Sequence, residues 1–233
     1  APVAVYDAWS TPQDTALKVN AMGVLANDGD PEGHALTVTV TVQGFVPAGS
    51  VLRRTGARVG DDVWVTGSLG DAAAALQQYK HGPMQSMKLR HRLDRPTPRV
   101  AAGLALRGLA NAAIDISDGL AQDLGHILSG SGVGAELELG RLPVSASLLD
   151  FHKDDTARWA LQLSGGDDYE LCFTASPAEA FAIEQAMAAA GVTASVIGHI
   201  TAESGLRCLT PDGEHLALEQ TGYRHFAEAL HVH

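Results

Sequence analysis

The sequence has few cysteines and a shortage of positive charge. Cys172 and Cys208 are its 2 cysteines, and both lie in apolar, strand-like stretches. We therefore expect buried free thiols rather than a disulfide, and two cysteines are too few for a zinc site of their own. The 16 Lys and Arg are outnumbered by 27 Asp and Glu, which gives a net charge of −11. This balance argues against binding to nucleic acid, whose phosphates require clustered positive charge.

Long apolar runs and targeting signals are also lacking. No apolar stretch reaches the length of a membrane span, and no basic region followed by an apolar segment opens the chain. We therefore predict no membrane partner, although a start at Ala1 without Met is compatible with a removed signal peptide. The 10 His are scattered without metal-ligand spacing. Ser164-Gly165-Gly166 does not form the Gly-x-Ser-x-Gly arrangement of a nucleophile elbow.

What the sequence does contain is the pattern of an α/β or α+β protein. Its hydrophobic content of 45% is enough for a core. Turn residues and a short β segment fill residues 1–36, whereas residues 37–233 mix strand-like and helix-like stretches. We predict strands at 37–44, 61–66, 112–116, 135–139, 169–174, 195–200 and 206–209. We also predict helices that start at residues 72, 97, 120 and 177, a further helix that ends near residue 163, and a last helix at 223–230.

Three loops combine glycine with aspartate between a strand and a helix: Gly67–Asp71, Ile116–Gly119 and Gly165–Glu170. Glycine lets a backbone approach a ligand closely, and a loop that enters a helix directs free N–H groups toward an anion. Carboxylates beside such loops can hold Mg²⁺, which prefers one or two carboxylates together with substrate phosphates. The loops therefore predict a site for a phosphorylated small molecule and a metal.

Simpler interpretations of these loops stay open. Asp71 and Asp118 can act as helix caps, and Gly165-Gly166 can form an ordinary turn. Asp115 lies within an apolar strand, where a carboxylate needs either a partner or a function. The basic stretch Arg90-His91-Arg92 is interpreted as a solvated face, with contact to a phosphate as the alternative.

The three loops carry a resemblance to a known family. The segments VWVTGSLGDAAAAL, AAIDISDGLAQDLGHILSG and LQLSGGDDYELCFT resemble thiamine-monophosphate kinases, which share a superfamily with the aminoimidazole ribonucleotide and selenophosphate synthetases. The resemblance runs from about Thr37 to the TGYRHF stretch. It implies a mixed sheet with helices, as in the C-terminal domain of aminoimidazole ribonucleotide synthetase, for residues 37–233. It also implies thiamine monophosphate as substrate, Mg²⁺ and ATP as cofactors and a cytoplasmic location.

The resemblance also implies roles for individual residues. Asp118 would ligate Mg²⁺ beside Ser117 and Gly119 at the phosphate, and Asp71 would lie nearby as a second catalytic and metal-binding carboxylate. The family's Gly-Gly-Glu-Asp motif appears here with Asp in place of Glu, so a shorter side chain would reach the substrate. The residues implied to bind substrate are Ser117, Gly119, Gly165, Gly166, Asp167, Asp168 and Tyr223, the last facing the thiamine rings.

The beginning of the sequence departs from the family. The family's Gly-Gly-Asp-Thr type motif is absent, Asp30–His34 stands in its place, and the ATP-binding half that would precede it is missing. Residues 1–36 instead resemble the opening of a cadherin-like or immunoglobulin-like repeat of bacterial surface proteins, a family that is extracellular. We therefore expect a join between two unrelated fragments, 1–36 and 37–233.

Three hypotheses for function follow from the sequence. The first is a truncated thiamine-monophosphate kinase-like domain that keeps part of its substrate and metal site but has weak or no ATP-dependent kinase activity, unless the nucleotide-binding half is supplied. The second is a metal-assisted hydrolase of phosphoesters or other esters that uses Asp118 and Asp71 with water. The third is a non-catalytic chimeric scaffold that covers its open sheet edges by pairing two chains into a homodimer.

Overall fold

The computed structural model describes residues 46–82, 86–218 and Gly222. The chain divides into two compact units, Ala1–Val46 and Pro47–His233. Every helix and strand of the described part lies in the second unit. The predicted strand 37–44, the helix 223–230, the short β segment and the join after residue 36 lie outside the described residues and stay predictions.

The second unit alternates strands with helices. Within the described residues its strands are β1 Asp62–Thr66, β2 Ala112–Ile116, β3 Gly134–Glu138, β4 Glu170–Ala175, β5 Ala194–Thr201 and β6 Gly205–Leu209. Its helices are α1 Asp71–His81, α2 Met87–Asp94, α3 Val100–Ala105, α4 Leu120–Ser131, α5 Ala146–Phe151, α6 Asp155–Ser164 and α7 Ala180–Ala189, with short 3₁₀ turns at Leu139–Arg141 and Pro177–Glu179.

The strands form one 6-stranded mixed sheet in the order β2-β4-β1-β5-β3-β6. Strands β3 and β6 run parallel, and the other neighbouring pairs are antiparallel. The predicted α/β class with a mixed sheet and helices is therefore confirmed.

Strand β1 is buried on both of its faces because helices cover the sheet on both sides. Val63 and Val65 belong to one core with α4, whereas Trp64 packs with Phe173, α3 and α7 on the opposite face. The Trp64 and Phe173 rings stack at a centroid distance of 5.9 Å. Both cysteines are buried and free, as predicted, and burial raises the pKa of Cys172 to about 12.

Two local predictions are wrong. The helix predicted from Thr97 to about Leu109 is the shorter α3, since the side chain of Arg99 is bound to Glu170 and Leu106 already begins a turn. Asp115 was predicted inside a buried strand, but β2 lies at the edge of the sheet formed by the described strands, and Asp115 is exposed. Its carboxylate therefore carries no burial cost.

Candidate functional site

The three glycine–aspartate loops lie at one end of the sheet because of strand direction. Strand β4 runs antiparallel to both β1 and β2, with Val65 opposite Cys172 and Ile116 opposite Glu170. The start of β4 therefore lies beside the ends of β1 and β2. The loop before β4 is placed between the loop after β1 and the loop after β2.

Hydrogen bonds join the central loop to both neighbours. On the β2 side, the Asp167 N–H donates to Ser117 O at 2.9 Å and the Tyr169 N–H donates to Ile116 O at 2.8 Å. On the β1 side, the Gly70 N–H donates to the Asp168 carboxylate, at 2.9 Å from Oδ2. The loops that the sequence singled out thus form one connected structure.

The central loop has an unusual backbone. Asp167 and Tyr169 both have a positive φ, at 66° and 50°, a region that non-glycine residues rarely adopt. Gly166 lies so close to the neighbouring loop that a Cβ atom there would come within 2.6 Å of Ser117 O. Gly165 follows the end of α6, and its N–H donates to Leu161 O. Strained backbone of this kind is often found at functional sites.

The loop after β2 is organised by a carboxylate of its own helix. Asp123, in the first turn of α4, accepts hydrogen bonds at Oδ2 from the N–H groups of Ser117, Asp118 and Gly119, at 3.0, 3.0 and 3.1 Å. From the sequence, we had expected these N–H groups to be free to bind a phosphate. Because Asp123 occupies them, a phosphate at this loop would have to be held by side chains such as the Ser117 hydroxyl.

Asp71 and Asp118 are not the N-caps of their helices. Gly70 caps α1 and Gly119 caps α4. The Asp71 carboxylate is buried and accepts hydrogen bonds from the hydroxyls of Ser68 at 2.9 Å and Ser145 at 2.5 Å. Asp118 is half-buried, and its Oδ2 accepts a hydrogen bond from the Gln122 side chain at 3.2 Å.

The carboxylates at this end of the sheet fall into two groups. The buried group contains Asp71, Asp168 and Glu170. Desolvation of Asp168, which is 1% exposed, raises its pKa to about 8, and Asp71 and Glu170 contribute to that rise while Gly70 and Arg92 oppose it. A neutral Asp168 at neutral pH reduces the repulsion within this group.

The second group is more open and surrounds Tyr169. Burial raises the pKa of the Tyr169 hydroxyl, and the charges of Asp167, Asp115 and Asp118 raise it further. Tyr169 also donates a hydrogen bond to Asp167 Oδ1 at 3.3 Å. Asp118 and Asp167, predicted on different loops, therefore lie in one electrostatic neighbourhood, whereas Asp71 belongs to the buried group.

Sequence reasoning did not predict the pairing of two arginines with one glutamate at the site. Arg92 and Arg99 both bind Glu170, the first residue of β4, and all three side chains are largely buried. Arg92 was interpreted as part of a solvated face, which is wrong, since its side chain is 19% exposed. A glutamate at the start of an apolar strand is a signal that could have predicted a buried basic partner.

Two cavities flank Arg92. One, of about 440 Å³, is lined by Gly67, Ser68, Arg92, Arg99, Pro143, Val144, Glu170, Thr193 and Ser195. The other, of about 410 Å³, is lined by Asp71, Lys88, Leu89, His91, Arg92, Ser145, Ala146 and Ser147. Both volumes suit a small polar ligand, and Arg92 offers positive charge to each.

The described side chains provide few possible ligands for a divalent cation. No cluster of three or more His, Cys, Asp or Glu in residues 46–82 and 86–218 has an arrangement that could hold a metal ion. Asp118 and Asp167 fit the smaller requirement of Mg²⁺ for one or two carboxylates with phosphate oxygens completing the shell. Asp71 fits it less well, since each of its oxygens already accepts a hydroxyl hydrogen bond. Tyr223, predicted to face the substrate, lies outside the described residues.

Comparisons with known proteins agree with this architecture. The thiamine-monophosphate kinase of Escherichia coli strain K12 is 43% identical over 205 residues, which cover 85% of this chain and 62% of that enzyme. The structure of the thiamine-monophosphate kinase from Stenotrophomonas maltophilia K279a superposes with a TM-score of 0.68 at 43% identity, covering 73% of this chain and 56% of that one. AaThiL complexed with AMPPCP and TMP superposes with a TM-score of 0.62 at 32% identity, covering 75% of this chain and 54% of the other.

The chain thus spans 62% of the length of the Escherichia coli enzyme. Residues 58–209 match the family described as AIR synthase related protein, C-terminal domain. This stretch contains the whole sheet and all three loops. The chain therefore belongs to the family of AIR synthase related proteins, of which it carries the C-terminal domain.

Proposed function

We propose that this chain provides the acceptor-binding and Mg²⁺-binding part of a thiamine-monophosphate kinase-like phosphotransferase. The observation that carries the proposal is the joining of three glycine–aspartate loops at one end of the sheet, in a chain that is 43% identical to thiamine-monophosphate kinase. AaThiL, a structural neighbour, was solved with AMPPCP and TMP. Thiamine monophosphate is accordingly the ligand we assign to this site.

Residues of the open carboxylate group would hold the metal. Asp118 and Asp167 come from adjacent loops and share a neighbourhood with Ser117, whose hydroxyl can contact a phosphate. Mg²⁺ bound there would neutralise phosphate charge during transfer. Asp167, at a positive φ, would present a shorter side chain than the family's glutamate to the substrate.

Arg92, beside the buried group of carboxylates, would supply positive charge. Arg92 borders both cavities and is the guanidinium nearest Asp71, with Nε 3.9 Å from Oδ2. Asp71 is the first residue of α1, and Asp168 of the central loop accepts the hydrogen bond from the Gly70 N–H just before that helix. We propose that Arg92 pairs with a phosphate, because a planar guanidinium matches phosphate oxygens.

Whole-enzyme turnover is a separate proposal. Phosphoryl transfer requires nucleotide, metal and acceptor to be positioned together, and the family's Gly-Gly-Asp-Thr type motif is absent from this sequence. We expect weak or no ATP-dependent phosphorylation of thiamine monophosphate by this chain alone. Turnover on the order of 10 s⁻¹, an ordinary enzyme rate, would contradict that expectation.

Calorimetric titration of thiamine monophosphate into the chain tests the binding proposal. We expect binding that weakens by about tenfold, or about 1.4 kcal/mol, when EDTA replaces Mg²⁺. The Asp118→Asn variant should bind with the weaker constant in both conditions, because it lacks one metal-ligating carboxylate. Asp61→Asn is the matched control, since Asp61 is a buried carboxylate immediately before β1, at the opposite end of that strand from the loop Gly67–Asp71.

Binding, together with an assay for release of inorganic phosphate, separates the kinase-like, hydrolase and scaffold hypotheses. Equal affinity of Asp118→Asn and the unaltered chain, in the presence of Mg²⁺, would remove Asp118 from the site. EDTA-sensitive release of inorganic phosphate that is lost in Asp118→Asn would favour the hydrolase. A chain that binds neither Mg²⁺ nor thiamine monophosphate would leave the chimeric scaffold of fragments 1–36 and 37–233.

A further inference from the structure

Glu170 is the most completely enclosed charge of the described residues. Its side chain is 0% exposed, and its two oxygens accept hydrogen bonds from three side chains. Arg99 donates from Nε and Nη2, each at 2.6 Å, in a two-bond fork. Thr66 donates at 2.7 Å, and Arg92 donates from Nη2 at 2.8 Å. Hydrogen bonds and opposite charges of this kind offset the cost of burying a carboxylate.

Arg92 is held by one edge of its guanidinium. Nη2 donates to Glu170 Oε1, to Asp168 O at 3.2 Å and to Ser68 O at 3.5 Å, so it is attached to the central loop and to the loop after β1. Within the described residues, the buried Nε has no hydrogen-bond acceptor and lies 3.9 Å from Asp71 Oδ2. The guanidinium is thus fixed through Nη2, while the buried Nε on the same edge has no acceptor within hydrogen-bond distance in the described part of the chain.

We propose that Glu170 is a positioning residue that fixes Arg92 between the two cavities for contact with the phosphate of the substrate, and that Arg99 in turn fixes Glu170. The proposal rests on the proposed function for its ligand. The side chain of Glu170 is 0% exposed, so its effect on the ligand would pass through Arg92. The fork from Arg99 fixes the orientation of the Glu170 carboxylate, and Glu170 accepts the shortest of the three hydrogen bonds that hold Nη2 of Arg92.

A single substitution can change the charge of the cluster formed by Arg92, Arg99 and Glu170. Arg92, Arg99 and Glu170 together carry one net positive charge. Glu170→Gln preserves the shape of the side chain and raises the cluster by one further positive charge. If Glu170 only moderates the charge of Arg92, the variant should bind an anion more tightly. If Glu170 positions Arg92, the variant should bind more weakly despite its greater positive charge.

The first measurement is calorimetric titration of thiamine monophosphate with Mg²⁺ into the full chain and into Glu170→Gln. We expect affinity to fall by about tenfold, the effect of losing one charge-assisted hydrogen bond. Glu203→Gln is the control for the chemical change, since Glu203 is exposed in the turn between β5 and β6. Unchanged or tighter binding by Glu170→Gln would overturn the proposal.

The second measurement does not depend on any ligand. In protein labelled with ¹⁵N-arginine, a guanidinium held by several acceptors gives slowly exchanging, separate N–H resonances. We expect such resonances for Arg92 in the full chain and in Asp61→Asn, and averaged resonances in Glu170→Gln. If the unaltered chain fails to bind thiamine monophosphate, the proposed function is wrong. The spectrum then tests by itself whether Glu170 fixes the position of Arg92. Arg92 resonances that are unchanged in Glu170→Gln would overturn the positioning role.

Arg99→Lys provides the test if Glu170→Gln does not fold. This change keeps the positive charge and a single donor group but removes the two-bond fork to Glu170. We expect the same loss of affinity and the same averaging of the Arg92 resonances, at a net charge equal to that of the original chain. Full affinity together with unaltered Arg92 resonances would overturn the proposal.

Discussion

Asp168 shows how burial sets the chemistry of a single residue in this site. Its pKa is raised to about 8 by desolvation, whereas an unfolded chain would titrate it near its ordinary value of about 3.9. Its favourable contribution to stability is therefore fully present below about pH 4 and is lost as the pH rises through about 8. The protonated form can accept the Gly70 hydrogen bond while adding no charge to the group around Asp71 and Glu170.

We predict that Asp168→Asn removes this part of the pH dependence. From pH 4 to pH 8 the unfolding free energy of the variant should rise, relative to that of the original chain, by an amount on the order of several kcal/mol. Urea denaturation of both proteins at several pH values measures the difference. A difference that stays constant over this range would show that Asp168 is ionised throughout in the folded chain.

Asp123 is a second residue whose role is local and testable. Its carboxylate takes the three N–H groups of the loop after β2. Asp123→Ala leaves these donors without their acceptor and should cost about 2 to 4 kcal/mol of unfolding free energy. Native-state hydrogen exchange should show lost protection at Ser117, Asp118 and Gly119, beyond the change at amides of β5. Unchanged protection of these three amides would contradict the assigned role.

At the scale of elements, the central strands depend on one irregularity in β5. The pairing of β1 with β5 shifts register between Val63 and Trp64, opposite Gly198 and Val196, so Ile197 is an extra residue in β5. A Cβ atom at Gly198 would overlap the carbonyl oxygen of Glu136 on β3. Gly198 therefore allows β3 and β5 to approach each other at the irregularity.

We predict that Gly198→Ala lowers the unfolding free energy by about 1 to 3 kcal/mol or more, because the backbone of β3 must move to relieve the overlap. Chemical denaturation measures the change. Gly213→Ala is a control in an exposed turn where a Cβ atom meets nothing within 4 Å, although its φ of +84° adds a cost of its own. A Gly198→Ala variant as stable as the original chain would contradict the assigned strand packing.

Elements were easier to predict from the sequence than the contacts between them. Short apolar runs predicted β1, β2 and β4 within a residue, because the apolar run of a strand is local information. The salt bridges of Glu170 join residues 78 and 71 positions apart in the chain. No local pattern encodes such a distance, so the pairing of Arg92 and Arg99 with Glu170 was not predicted. Asp123 was missed for a different reason, since an aspartate in a first helical turn is too common to indicate a special role.

At the scale of the whole molecule, the association of chains is the main open prediction. None of the helices in the described residues combines the length and the apolar character that a membrane span needs. The second unit exposes large apolar side chains, including Val100, which is 63% exposed, and Phe181, which is 73% exposed. We predict a homodimer, because paired chains would cover apolar surface and open sheet edges. Light scattering after size-exclusion chromatography tests this, and a clean monomer at micromolar concentration would count against it.

The central claim is that the loops at one end of the sheet bind a divalent cation together with a phosphorylated small molecule. The most direct measurement is anomalous diffraction from crystals grown with Mn²⁺ in place of Mg²⁺ and with thiamine monophosphate. We predict a manganese peak within coordination distance of Asp118 or Asp167, with the phosphate beside it and Arg92 facing the bound ligand. A manganese peak and a ligand that lie away from all three loops would contradict the claim.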